Sequence, residues 1–215
     1  MGQKVNPHLI RLRDVHGWQS RWFDERNYQA TLLEDYNLRK MLIERLKGAG
    51  ISKVEIERSI NSVRIVAYVS RPGMVIGRAG TGLEELKKFI TAFFKTSKGK
   101  KQMPKIDIRI EPVKEPNLDS MLVAKNIAEQ LLRRLPYKRI LAQNAERVMA
   151  SGALGVRILL AGRIAGAEIS RREKIQKGTV PLSTIRSNID YASYPSLTKK
   201  GYIGVKVWIN KEEGK

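Results

Sequence analysis

Gly77, Arg78, Ala79 and Gly80 form the segment in which residue type and spacing together suggest chemistry. Two glycines three apart leave no Cβ to hold off an approaching backbone, the amides between them can turn towards an anion, and Arg78 adds a full positive charge. A helix starting directly after the loop would add the partial positive charge of its N-terminus. That chemistry holds a phosphate; it breaks no bond. Spacing alone is weak, because 17 glycines in 215 residues give about 1.3 such pairs by chance. The chain has three, the others being Gly152 with Gly155 and Gly201 with Gly204. A plain tight turn would use the same glycines, so the weight of the loop comes from the elements around it.

Catalytic chemistry finds little to work with. The chain has no cysteine and only two histidines, His8 and His16. Disulfides, zinc ribbons, thiol nucleophiles and iron–sulfur clusters are excluded, and an acid–base triad has no home. Both histidines are expected at the surface or against RNA. No GxxxxGK[ST] occurs, and Gly77, Gly80 and Gly82 run GxxGxG, the reverse of the dinucleotide fingerprint. The acidic neighbours Glu34 and Asp35, and Glu84 and Glu85, fall in helical stretches where adjacent side chains point apart, so they make poor two-metal ligands. The expectation is a protein that is not an enzyme and has no metal, no cofactor and no small-molecule substrate.

Charge supplies the alternative. There are 41 Lys and Arg against 21 Asp and Glu, a formal charge of +20. The excess is spread evenly, with 22 basic and 12 acidic side chains in residues 1–111 and 19 and 9 in residues 112–215. A fold this cationic repels itself unless a polyanion neutralises it, and nucleic acid is the obvious one. Lys4, Arg11, Arg13 and Asp14 interrupt any apolar run near the N-terminus, and no apolar stretch is long enough to span a bilayer. A membrane partner is therefore not expected, and the protein is expected inside the cell.

Several elements must position these residues. The first 37 residues mix basic and aromatic side chains, Trp18, Arg21, Trp22, Phe23 and Arg26 among them, which can stack on bases or pack on the next helix; packing is expected for most. Leu38, Met41, Leu42, Arg45 and Leu46 have helical spacing and stop at Gly48-Ala49-Gly50. Val54 and Ile56, then Val63 to Val69, alternate as a hairpin. A short helical run after Pro72-Gly73 leads into the glycine loop, a helix with Leu83, Leu86, Ile90 and Phe93 on one stripe, and a strand with Ile106, Ile108 and Ile110. The order is αββααβ. Pro112 to Pro116 reads as a stiff linker. Asn117 can cap a helix running to about Arg134, and a second helix follows Pro136 with Tyr137, Ile140, Leu141, Val148 and Met149 inward. Val156–Leu160, Ala167–Arg171, Thr184–Tyr191 and Ile203–Ile209 are candidate strands. The expected class is α+β: an arm at 1–15, a first domain at 16–111, a linker at 112–116 and a two-layer second domain at 117–215, two helices on a mostly antiparallel sheet.

In that αββααβ context the Gly77–Gly80 loop resembles the backbone-clamping loop of a type II K homology (KH) domain. The resemblance extends further. Met1–Pro7 (MGQKVNP), Ser20–Phe23 (SRWF), Arg71–Gly80 (RPGMVIGRAG), Ala161–Ser170 (AGRIAGAEIS), Val180–Tyr191 (VPLSTIRSNIDY) and Gly204–Ile209 (GVKVWI) are similar to blocks of the bacterial-type small ribosomal subunit protein three family. It implies a structural constituent of the subunit head, partnered by small-subunit ribosomal RNA, messenger RNA and neighbouring head proteins, in the ribosomes of the cytoplasm or of an organelle. A free KH-domain RNA chaperone or assembly factor is the alternative. In the family, messenger RNA entry rests on two adjacent basic residues followed three positions later by another. Lys138 and Arg139 match the pair, Ala142 stands in place of the third, and Arg133 and Arg134 are the nearby substitutes. Lys4, Arg11, Arg13, Arg163, Arg171 and Arg172 are implied as further ribosomal RNA contacts. Leu9-Ile10 and Arg13 depart from the family's usual glycines, which implies a different local path for the arm.

The charge alone makes a quantitative prediction. If 6 to 10 phosphates are neutralised, affinity for RNA falls by roughly 10³ to 10⁵ between about 50 and 200 mM salt. A filter-binding titration with a nearly flat salt response would refute a polyanion partner.

Overall fold

β-branched residues alternate with polar ones over Ile51–Arg58 and Ser62–Val69, and two such segments joined by three residues pair antiparallel, Val54 opposite Ala67 and Ile56 opposite Ile65. The computed structural model describes residues 4–12, 15–98 and 104–212; Arg13, one of the expected RNA contacts, lies outside them. The chain divides into two compact units, Trp18–Lys114, and Glu115–Lys215 together with Met1–Gly17.

In the first unit the elements run β1 (Ser20–Arg21), α1 (Tyr28–Arg45), β2 (Ile51–Arg58), β3 (Ser62–Val69), α2 (Pro72–Ile76), α3 (Thr81–Lys98) and β4 (Lys105–Pro112). The sheet order is β1-β2-β3-β4, with β4 parallel to β3 and β1 parallel to β2. A parallel pair needs a crossover, and α2, the glycine loop and α3 provide it. This is the expected αββααβ order with one short strand added. Leu38, Leu42, Ile56, Ile65, Leu86, Ile90 and Phe94 are buried between helices and sheet, each large side chain worth roughly 1.5–3 kcal/mol. The α3 stripe closes on Phe94, four residues after Ile90, while Phe93 is half-buried and meets Phe94 edge-on at 5.6 Å.

Helix α1 begins ten residues before Leu38. Its early inward positions are Thr31 and Asp35, buried but polar, so no apolar period marks them. Asp24 accepts the N–H groups of Arg26 and Asn27 and the Thr31 hydroxyl. Asp35 accepts Trp22 Nε1 at 2.8 Å and Arg58 Nε at 2.7 Å, and Arg58 Nη1 reaches Glu34 at 3.0 Å. Trp22 therefore packs, against Tyr28 at 5.2 Å, whereas Trp18 and Phe23 are exposed. Strand β4 runs through Pro112, and Val113 N–H donates to Val69 O; an edge strand tolerates the proline.

The second unit contains α4 (Ser120–Leu132), α5 (Tyr137–Ala150), β5 (Gly155–Gly162), β6 (Arg171–Gly178), β7 (Asn188–Thr198) and β8 (Gly201–Lys211). Its sheet is wholly antiparallel in the order β6-β5-β8-β7, with both helices on one face over Val156, Ile158, Leu160, Val205, Val207 and Ile209. The α4 cap is Asp119, whose Oδ1 accepts Leu122 N–H at 2.9 Å; Asn117 sits in a preceding single turn and donates to Ser151. Two strand positions differ from expectation. Residues 167–170 connect β5 to β6 and the strand starts at Arg171, while β7 starts at Asn188, because residues 181–187 present their carbonyls to an arginine instead of a ladder.

That arginine is Arg11. It is fully buried, donating from Nε to Ser187 O (2.9 Å), from Nη1 to Pro7 O (3.1 Å) and from Nη2 to Leu182 O (3.0 Å) and Thr184 O (2.7 Å). His8 and His16 stack at 4.4 Å. His8 Nε2 lies 2.8 Å from Tyr191 N and 3.1 Å from Asp190 Oδ1, and His16 Nε2 lies 3.2 Å from Ile189 O. Burial would raise the Asp190 carboxyl, but His8, Lys211 and Ser120 N–H together hold it well below the usual carboxylate range. Arg11 is thus corrected from an expected RNA contact to an internal tie, since its guanidinium faces the chain's own backbone, and His8 and His16, expected at the surface or against RNA, are half-buried beside it.

Arg11→Met leaves buried carbonyls without a donor and is expected to cost at least about 3 kcal/mol. Arg11→Lys restores little, because an ammonium cannot span the same fork of acceptors. Urea unfolding checks both; a loss under about 0.5 kcal/mol for Met, the level of a surface change, would refute the clasp.

Candidate nucleic-acid interface

Two exposed cationic features stand apart from the internal ties, one in each unit. In the first, α2 ends at Gly77, which takes φ +71°, a left-handed conformation that side chains with a Cβ resist. Arg78–Gly80 make one tight turn, Thr81 Oγ1 donates to Arg78 O, and α3 follows at once. Arg78 is exposed and Gly80 has open space where a Cβ would stand. The expected loop-then-helix geometry is present. A third glycine also matters: a Cβ on Gly82 would come within 2.5 Å of Val75 O, so Gly82 lets α3 pass close against α2. The GxxGxG spacing contained that signal, read only against the dinucleotide pattern.

In the second unit the turn between α4 and α5 gathers Arg133, Arg134, Lys138 and Arg139. All four are exposed, and none has a carboxylate partner among the described residues. Arg133 is the C-cap of α4. Arg134 takes φ +59°, which ends the helix before the residue expected to close it and strains a side chain that has a Cβ. Lys138 and Arg139 occupy the first turn of α5, where no acidic side chain is present. Cations there oppose the helix dipole, an unfavourable placement worth about 0.3–1 kcal/mol that an external anion would reverse. Ile140 and Leu141 are buried and Tyr137 half-buried, which leaves Lys138 and Arg139 outward. Ala142, one turn above Lys138, is half-buried.

The sheet adds a residue to this group. Arg171, at the start of β6, lies over the Tyr137 ring at 5.5 Å and reaches its hydroxyl, so it joins the start of α5 from 34 positions away. Arg172 is exposed with no partner among the described residues, Lys4 is exposed, and half-buried Arg163 donates Nε to Ala167 O at 2.8 Å. The candidate site residues therefore fall into a loop in one unit, a cationic turn with Arg171 in the other, and scattered single positions.

Two family models match successive parts of the chain. Residues 37–118 match the KH domain family, and residues 127–209 match the family described as Ribosomal protein S3, C-terminal domain. Among relatives, the small ribosomal subunit protein uS3 of Lactobacillus helveticus is 43% identical over 99% of this chain and 92% of its own length. That of Desulfitobacterium hafniense is 44% identical over 99% and 94%, and that of Thermodesulfovibrio yellowstonii 46% over 99% and 95%.

The strained turn yields a stability test. Arg134→Gly removes the Cβ clash at φ +59° and is expected to stabilise the protein by about 1 kcal/mol. Chemical denaturation measures it, and a destabilised variant would mean that Arg134 makes contacts that outweigh the strain.

Proposed function

The chain belongs to the uS3 family of small ribosomal subunit proteins, and from that premise we propose that it is a structural constituent of the small-subunit head that binds ribosomal RNA and lines the entrance for messenger RNA. The observation that carries the reading is the α4–α5 turn, where four exposed cations have no carboxylate partner among the described residues and two of them sit against the helix dipole. Cations in that arrangement hold the phosphates of an incoming strand. By holding the separated strand they bias fluctuating base pairs towards the open state; translocation supplies the work, and no nucleotide is hydrolysed. Phosphate contacts carry no sequence information, so the grip is indifferent to message.

Arg133, Arg134, Lys138 and Arg139 form this entry surface, and Ala142 weakens it by one cation one turn further along α5. Gly77, Arg78, Ala79 and Gly80 present backbone amides and one guanidinium to an RNA strand. Lys4, Arg163, Arg171 and Arg172 contact ribosomal RNA; Arg11 does not. In this reading the protein works in the ribosome beside other head proteins.

Lys138→Ala with Arg139→Ala is expected to slow ribosome transit through a stable messenger hairpin but not through unstructured message, and Ala142→Lys to speed it. Subunits reconstituted with each variant and timed on hairpin and linear messages test this. Equal hairpin-to-linear ratios for wild type and the double variant would remove the entry role from this helix.

A further inference from the structure

Each unit leaves one face of its four-stranded sheet away from the helices, and the two faces differ in charge. On the first sheet the outward positions are Lys53, Glu55, Glu57, Arg64, Val66, Tyr68, Asp107, Arg109 and Glu111, by alternation from the buried positions of β2, β3 and β4. The face neutralises itself. Lys53 meets Glu55 at 2.7 Å, Arg64 meets Glu57 at 3.3 Å and Asp107 at 3.5 Å, and Arg109 meets Asp107 at 3.5 Å. Burial, with Glu55 and Glu111 beside it, pushes the Tyr68 hydroxyl up to about 12.

On the second sheet, Val156, Ile158 and Leu160 of β5 face the helices, so Arg157, Leu159 and Ala161 face outward, with their register partners beside them. The first row reads Gln176, Arg157, Trp208, Tyr191; the second Lys174, Leu159, Lys206, Ser193; the third Arg172, Ala161, Gly204, Pro195. Four cations and no carboxylate occupy these rows. Arg172, Lys174 and Lys206 are exposed and have no hydrogen-bond or ion-pair partner among the described residues. The Arg157 guanidinium lies over the Trp208 ring at 5.2 Å, Trp208 leans on Tyr191 at 5.2 Å, and Arg157 Nε is buried without a partner. Ala161 and Gly204 keep the floor between Arg172 and the β8 side shallow.

We infer that this open face of the second sheet is a docking platform for the sugar–phosphate backbone of RNA. The inference rests on the reading of the protein as a ribosomal RNA binder and gives that RNA a surface beyond the entry turn and the glycine loop. Strand geometry spaces the cations: Arg172 and Lys174 are about 6.8 Å apart along β6, and Lys174 and Lys206 about 9.6 Å apart across two strand intervals. A row of that kind meets successive phosphates or the two sides of a groove. Arg157 is held over the Trp208 ring in advance, so little freedom is lost when it binds. On the first sheet's face Lys53, Arg64 and Arg109 are paired, and with Lys105 at the start of β4 counted its cations are matched by Glu55, Glu57, Asp107 and Glu111, so it offers phosphate no such field.

The experiment compares three full-length proteins binding transcribed small-subunit ribosomal RNA from about 50 to 200 mM salt: wild type, Lys174→Gln with Lys206→Gln, and Arg64→Gln with Arg109→Gln. All four substituted side chains are on the surface, and circular dichroism checks that each variant is folded. The Lys174/Lys206 pair is expected to make the slope of log affinity against log salt shallower by about 1.4–1.8, the share of two phosphate contacts. The Arg64/Arg109 pair, which removes the same charge from the other face, is expected to change it by less than half as much. Equal changes would mean that only net charge is felt and would overturn the platform. So would a steep wild-type slope that the Lys174/Lys206 pair leaves unchanged, the result for a face that meets solvent or an acidic protein. A flat wild-type titration would overturn RNA binding itself, and the platform with it.

Discussion

A chain with 41 cationic and 21 anionic side chains has to keep its excess charge apart until a polyanion neutralises it, and the fold is arranged around that constraint. Where charge serves the structure it is paired or internal: Arg58 with Glu34 and Asp35, Lys211 with Asp190, Arg64 and Arg109 with Asp107. Where charge is left over, it stands on turns and open faces with no carboxylate partner among the described residues, as at Arg133, Arg134, Lys138 and Arg139. Exposed paired charges add little stability, about 0–1 kcal/mol each. Their consequence here is positional, since each carboxylate removes one surface from competition for RNA.

Arg11 shows that cationic character does not by itself make a contact residue. Its guanidinium satisfies backbone carbonyls that irregular chain would otherwise bury unpaired, which ties the N-terminal arm to the segment before β7, while His8 and His16 meet the first residues of β7 itself. An arm that a sequence reading separates as residues 1–15 is thereby part of the second unit's structure. The loop over residues 181–187 is fixed by a side chain about 170 positions away in sequence, a link that no local pattern can announce.

Helix dipoles and backbone strain make the α4–α5 turn distinctive in a second way. Lys138 and Arg139 in the first turn of a helix, and an arginine at positive φ beside them, are choices that reduce stability in isolation. Both become favourable or tolerable when an anion occupies the turn. The glycine loop follows a different logic, in which Gly77 and Gly82 permit close backbone approach and the charge comes from one side chain and the start of α3.

Sequence alone determined the αββααβ order, the two-helix-on-sheet second unit and the cationic turn, because alternation, helical spacing and proline or glycine stops act over a few residues and survive without tertiary context. It missed the first ten residues of α1, whose inward Thr31 and Asp35 are polar, and it placed two strands early, at Ala167 and Thr184, since β propensity cannot tell a ladder from a loop whose carbonyls are taken by arginines, Ala167 by Arg163 and Thr184 by Arg11. The pairing of charges was equally hidden. Lys53 and Lys174 are both lysines on strands, yet one lies 2.7 Å from Glu55 and the other has no partner among the described residues. Only register across strands, set by long-range packing of the buried face, decides which cations meet carboxylates and which remain for a phosphate.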